Sequence, residues 1–207
     1  MRTLIPAIVV LCFAIGNGAS PANGQSAPAA QQSAAAPADK TSPSYDMKAQ
    51  AVYDLQDLQK KFVGLAGAIP AEKYTWRPAE GVRSFSELFL HIAAANYNIP
   101  TMMGAAHNSS TEQKDFQKST TDKSKIIEQL NQSFAHAISV VQAMSNSDFA
   151  KPEKKLGPDA NDGDVVYLLV THAHEHLGQV IAYARMNNVV PPWTAEALKK
   201  NAGKAQE

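Results

Sequence analysis

Val165-Val166-Tyr167-Leu168-Leu169-Val170-Thr171-His172-Ala173-His174-Glu175-His176-Leu177-Gly178-Gln179-Val180-Ile181-Ala182-Tyr183 is the stretch on which the reading of this chain turns. At 100° per residue, Val165, Leu169, Val180 and Tyr183 share one face of a helix, and so do His172 and His176, four residues apart. His174 lies about 200° from His172 and cannot join them. The pattern predicts a helix over residues 164–186, stopped by Asn187-Asn188 and Pro191-Pro192. An apolar face that carries two imidazoles must supply each with a partner, because an unpaired buried polar group costs about 1–3 kcal/mol. A divalent cation held by both Nε2 atoms is one such partner. Hydrogen bonds to carbonyls, or between the two rings, are the other.

Working outward from this segment, three more amphipathic stretches precede it. Val52, Leu55, Leu58, Phe62 and Leu65 recur at three- and four-residue steps and predict a first helix over residues 47–66. Ser84-Phe85-Ser86-Glu87 reads as a capping box that opens a second helix running to about residue 103. After a polar loop over 104–121, a third helix carries Ile126, Ile127, Leu130, Phe134, Ile138, Val141 and Met144 on one stripe. No alternating strand pattern and no repeat at solenoid periods competes with this reading. The expected fold is all-α, a four-helix bundle over residues 45–193, with a short C-terminal tail over 194–207 forming a turn or two of helix. The loops before and after the third helix are long enough for a crossover connection.

Composition agrees with one globular domain bearing appendages. The 207 residues include 19 basic and 19 acidic side chains, so there is no basic footprint for nucleic acid and no polybasic membrane patch. A single cysteine, Cys12, excludes a disulfide framework and a zinc ribbon. Arg2 followed by the apolar run from Leu4 to Ile15 reads as a secretory signal peptide over residues 1–24, with cleavage after Ala22-Asn23-Gly24. That run is too short to span a bilayer core of about 30 Å, so no stable membrane insertion is expected after cleavage. Residues 25–44 are Ala, Pro, Ser and Gln with almost no large apolar side chain, the composition of a flexible linker. The mature chain is therefore expected in the periplasm or outside the cell, and it lacks a thiol.

The second helix contributes a further candidate. His91 follows Leu88 on one face, with Ala93-Ala94-Ala95 leaving room beside its ring for a close helix contact or a pocket. Three imidazoles with a fourth position left to water is the open arrangement of a reactive metal site. His107, His136 and His174 read as surface residues, and Met102-Met103 as core. Glu175 and Tyr97 are nominal candidates for acid–base work, and Gln179, one turn beyond His176, for orienting a ligand.

The segments Arg83-Ser84-Phe85-Ser86-Glu87-Leu88-Phe89-Leu90-His91 and His172-Ala173-His174-Glu175-His176-Leu177-Gly178-Gln179 together resemble the DinB-like superfamily. Trp76-Arg77-Pro78 and the ending Asn187-Asn188-Val189-Val190-Pro191-Pro192 fit the same pattern. The resemblance implies a four-helix bundle with a three-histidine divalent metal site, and hence His91, His172 and His176 as ligands. Zinc or nickel would lead, with manganese or iron behind. It also implies a small-molecule substrate. A homodimer is left open. Characterised relatives include thiol-dependent transferases; an exported chain departs from them, because low-molecular-weight thiols are scarce or oxidised outside the cytosol. Three functions follow as expectations: a metal-dependent hydrolase, a non-catalytic metal-binding or interaction module, and a thiol-dependent transferase. The string Thr171-His172-Ala173-His174-Glu175-His176 also resembles the strand-end H-x-H-x-D-H of metallo-β-lactamase-like hydrolases, although it lacks the Asp-His pair.

Overall fold

Asp46 starts the first helix. Its carboxylate accepts from the Ala49 amide at 2.9 Å and so caps α1, Met47–Ala68. The computed structural model describes residues 45–112 and 115–204; the expected signal peptide (1–24) and linker (25–44) lie outside the described residues. At the far end of α1, Lys123 Nζ donates to the carbonyls of Gly67 and Ile69 at 2.7 and 2.8 Å, closing groups the helix itself cannot satisfy.

The second helix, α2, spans Phe85–Asn98 and opens on the expected capping box. Ser84 Oγ accepts from the Glu87 amide at 3.3 Å, and Glu87 accepts from the Ser84 amide at 2.9 Å. It ends earlier than the residue 103 expected from the pattern. Pro100 brings no amide hydrogen, the chain tightens into a 3-10 turn over Ile99–Met103, and Gly104 in the left-handed region (φ 86°) ends it. The third helix, α3, is Lys123–Ala143, capped by Asp122. The fourth, α4, is Asp162–Met186, two residues longer at its start than the apolar face suggests. There Asn161 and Asp164 form a second capping box.

The tail differs from expectation. Instead of a turn or two, α5 runs Pro192–Lys204, with proline in the first turn where its missing amide hydrogen costs nothing. Lys61 Nζ sits 6.0 Å from the Trp193 ring centroid, which links the start of α5 to α1.

The helices do not pack in chain order. Helix α1 packs against α3 and α4, and α2 packs against the same two, so α1 and α2 occupy opposite corners of the bundle. The crossover therefore falls in the α1–α2 and α3–α4 connections. The loop before α3 joins true neighbours. Contacts between Lys48 and the Met144 carbonyl at one end, and Lys123 and Gly67 at the other, make α1 and α3 antiparallel. Phe85 against Tyr183 does the same for α2 and α4. Leu55, Leu58, Phe62, Leu65, Phe89, Ile92, Leu130, Phe134 and Val180 are fully buried at the centre. Burial on this scale is the main favourable term holding the bundle together.

Among the described residues there is no strand, only a single bridge between Pro152 and Asn161. The resemblance to strand-end hydrolase motifs is thereby overturned: the histidine string sits in mid-helix. No helix of the described residues is long and apolar enough to cross a membrane.

Candidate metal centre

His91 stands midway along α2, and His172 and His176 stand one turn apart on α4. Because those two helices are antiparallel neighbours, the three rings meet. His91 Nε2 lies 3.1 Å from His176 Nε2 and 3.2 Å from His172 Nε2. One ligand nitrogen from each ring lies within 4.8 Å of the others. The rings are close without stacking: His91 and His176 are edge-on at 4.7 Å between centroids, as are His172 and His176 at 4.6 Å.

Proton bookkeeping tests whether this donor set fits a cation. His176 Nδ1 is 2.9 Å from Gln179 Oε1, and a carboxamide oxygen can only accept. Nδ1 therefore carries the proton and Nε2 presents a lone pair. A single proton on His91 Nε2 can serve one of its two nitrogen neighbours well, not both; a cation serves all three. Three nitrogens about 2.1 Å from a tetrahedral ion lie about 3.4 Å apart, close to the spacings observed. The donor set fits a divalent metal. What such an ion leaves unsatisfied is His91 Nδ1, which is buried without a hydrogen-bond partner.

Burial and neighbouring charge keep His91 and His172 neutral. Burial, then the Arg83 charge, then His176 and His172 push His91 down to about 4 from its ordinary 6.5. His172 is lowered as well, chiefly by burial and next by His176. Both rings thus offer lone pairs at neutral pH with no proton to displace.

Behind the rings runs a short relay. Gln179 Nε2 donates to the Tyr183 hydroxyl at 2.8 Å while its oxygen holds His176. Tyr183 is buried and edge-on to both Trp76 and Phe85, at 5.6 and 5.7 Å. The Trp76 segment folds back over the start of α2, its carbonyl accepting from the Phe85 amide at 3.2 Å. The orientation of His176 is therefore set through Gln179 by an aromatic cluster.

Beside the trio lies a cleft of about 740 Å³, lined by Arg77, Arg83, Glu87, Gln117, Lys118 and Gln179, with Gly81 and Val82. Arg77 is committed to the Glu87 carboxylate (3.1 Å) and the Val82 carbonyl (2.9 Å). Arg83 Nε donates to Gln117 Oε1 at 3.0 Å. Sequence reasoning did not bring Arg83 and Lys118 to the wall of this cleft. Arg83 stood only in the segment that carries the family resemblance, and Lys118 carried no signal at all.

The remaining candidates scatter. Glu175 and His174 are exposed, and Ala93 and Ala94 are buried in the core, so the alanine run serves close packing. Tyr97 points to α3, where its ring lies 5.3 Å from that of His136. That contact corrects the surface reading of His136. It is half-buried, its Nε2 has no hydrogen-bond partner, and burial lowers its proton affinity. It lines a separate cavity of about 450 Å³ with Met103, Met144, Asp148 and Asp162, which includes none of the three site histidines. His107 is exposed, and Met103 packs against the core from a partly buried position.

The family model of the DinB superfamily matches residues 54–180. In structure the chain is similar to a DinB-like protein from Bacillus cereus, at 16% identity and a TM-score of 0.59, over 70% of this chain and 93% of that one. A DinB-like protein from Bacillus subtilis gives 18% identity and a TM-score of 0.55, over 68% and 93%. YfiT from Bacillus subtilis, described as a probable metal-dependent hydrolase with an unusual four-helix bundle topology, gives 13% identity and a TM-score of 0.57, over 73% and 93%. Likeness at these identities speaks for the fold. No curated protein matches this chain.

Proposed function

The chain belongs to the DinB superfamily, and from that premise we propose that it is an exported metal-dependent hydrolase whose ion is held by His91, His172 and His176. The observation that carries the reading is the meeting of one ligand nitrogen from each of three rings, on two helices, within 4.8 Å. The description of YfiT as a probable metal-dependent hydrolase supports it. An all-nitrogen donor set suits zinc or nickel ahead of manganese or iron. When bound, such an ion supplies Lewis acidity toward a carbonyl or phosphoryl oxygen and lowers the pKa of water toward neutrality.

The chain's own residues prepare that chemistry. Gln179 fixes the tautomer of His176 by accepting a hydrogen bond from its Nδ1–H, and Tyr183 holds Gln179 in place. Burial keeps His91 and His172 unprotonated. Gln179 also lines the neighbouring cleft of about 740 Å³, which has the size of a small-molecule site. Export, expected from Arg2 and the apolar run to Ile15, favours water over a thiol as the second reactant.

Elemental analysis of protein purified from its native compartment, followed by a turnover panel of esters, amides and phosphate esters on the zinc-, nickel- and manganese-loaded forms, tests the proposal. One equivalent of metal, lost in His91→Ala with helicity retained, together with hydrolysis of one substrate class, is the expected result. Metal without turnover across the panel leaves a binding module in place of an enzyme. Absence of metal from the native protein overturns the reading.

A further inference from the structure

We propose that the cleft beside the three histidines is an oxyanion subsite, where Arg83 and Lys118 hold a carboxylate or phosphate group of a small-molecule substrate. The word substrate rests on the hydrolase reading above; the anion site itself does not.

The charges lining the cleft do not cancel. Three cations, Arg77, Arg83 and Lys118, face one carboxylate, Glu87. That carboxylate is already engaged, accepting from the Ser84 amide at 2.9 Å and pairing with Arg77 at 3.1 Å. Among the described residues, neither Arg83 nor Lys118 has a carboxylate within 4.0 Å. Two positive charges are left facing the cavity.

Both are placed, not merely present. The Arg83 Nε is clamped by Gln117 at 3.0 Å, which uses one of the five guanidinium donors and leaves the terminal fork to a ligand. Lys118 closes the 3-10 turn Phe116–Lys118, anchored in the core by the buried Phe116 ring. A planar fork with a nearby ammonium is the pairing that recognises a carboxylate or phosphate.

The cleft and the trio share one residue. Gln179 lines the cavity with the same side chain that holds His176. The Arg83 charge also acts on both His91 and His172. A cation among those rings would be repelled by Arg83 unless an anion sat between them. An anionic group in the cleft offsets that repulsion and brings the rest of its molecule against the histidine face. The volume of about 740 Å³ is that of a small-molecule site.

Titration of the full-length, metal-free protein with inorganic phosphate and with acetate, at constant ionic strength with chloride as the balancing ion, tests the subsite. Saturable binding is expected for one of them. Arg83→Gln and Lys118→Gln should each weaken it about tenfold, the loss of one charge-assisted contact. Both side chains are exposed, so helicity should not change, and circular dichroism checks this. Tighter binding of phosphate assigns a phosphate-bearing substrate, and tighter binding of acetate a carboxylate-bearing one. Binding no stronger than chloride, or unaffected by either substitution, overturns the proposal. A parallel metal titration separates the two readings. Anion binding in a protein that takes up no metal sinks the hydrolase and leaves the subsite; metal uptake without anion binding does the reverse.

Discussion

Replacing Gln179 with leucine removes two contacts at once, and each has a different consequence. The first is the acceptor 2.9 Å from His176 Nδ1, which fixes the proton there and the lone pair on Nε2. Loss of such a supporting contact typically weakens metal binding about 10- to 100-fold, or about 1.4–2.7 kcal/mol. The second is the donor 2.8 Å from the Tyr183 hydroxyl, in a side chain only 5% exposed. Leaving that hydroxyl unpaired costs the metal-free fold about 1–3 kcal/mol. Competition titrations against a chromophoric chelator measure the first effect, and chemical denaturation of the metal-free protein the second. Gln179→Glu separates them further. A carboxylate still accepts from His176, so metal affinity should hold or rise, while added negative charge at the cleft should weaken anion binding. Metal affinity unchanged in Gln179→Leu would refute the claim that this side chain positions His176.

Three other outcomes are expected. Chelation of the native protein should lower its Tm by about 5–10 °C if metal was present at about 100-fold over Kd, since saturation at that ratio is worth about 2.7 kcal/mol; differential scanning fluorimetry reads this. His91 is held down to about 4, by burial first and then by Arg83 and its two histidine neighbours, so between its ordinary 6.5 and 4 the unfolded chain takes a proton that the folded chain refuses. The metal-free protein should therefore keep its full stability above pH 6.5 and lose stability as pH falls through that window, in urea titrations whose pH slope is shallower in His91→Gln. Ser84→Ala removes the hydroxyl that accepts from the Glu87 amide and contacts Ser86 Oγ, and should cost about 1–2 kcal/mol of folding stability with the helix count unchanged.

Local features were readable along the chain wherever the deciding residues are close in sequence. The capping box at Ser84 and Glu87 needs only four consecutive residues, and it stands in the structure as read. The face shared by His172 and His176 follows from a four-residue step on one helix. The apolar stripes of α1 and α3 announced their burial in the same way, with Leu55, Phe62, Leu130 and Phe134 fully enclosed. Two misses were themselves local, the early end of α2 at Pro100 and the Asn161–Asp164 box that opens α4; others came from longer-range partners. Tyr97 of α2 half-covers His136 of α3, and α1 supplies the contact that joins α5 to the bundle.

By itself, then, the order of residues determined that four amphipathic helices form, where the second of them is capped, and that two imidazoles share one apolar face. Periodicity and capping are satisfied by atoms a few bonds or one helical turn apart, so they are written into the chain directly. Only the tertiary structure decided that α2 neighbours α4 and stands diagonal to α1, which brings His91 within 3.1 Å of His176 across 85 positions of sequence. It alone placed Arg83 and Lys118, from segments more than thirty residues apart, on the wall of one cleft. Such meetings depend on which buried surfaces fit together over the whole core, a balance of many small packing terms that no short window of sequence contains.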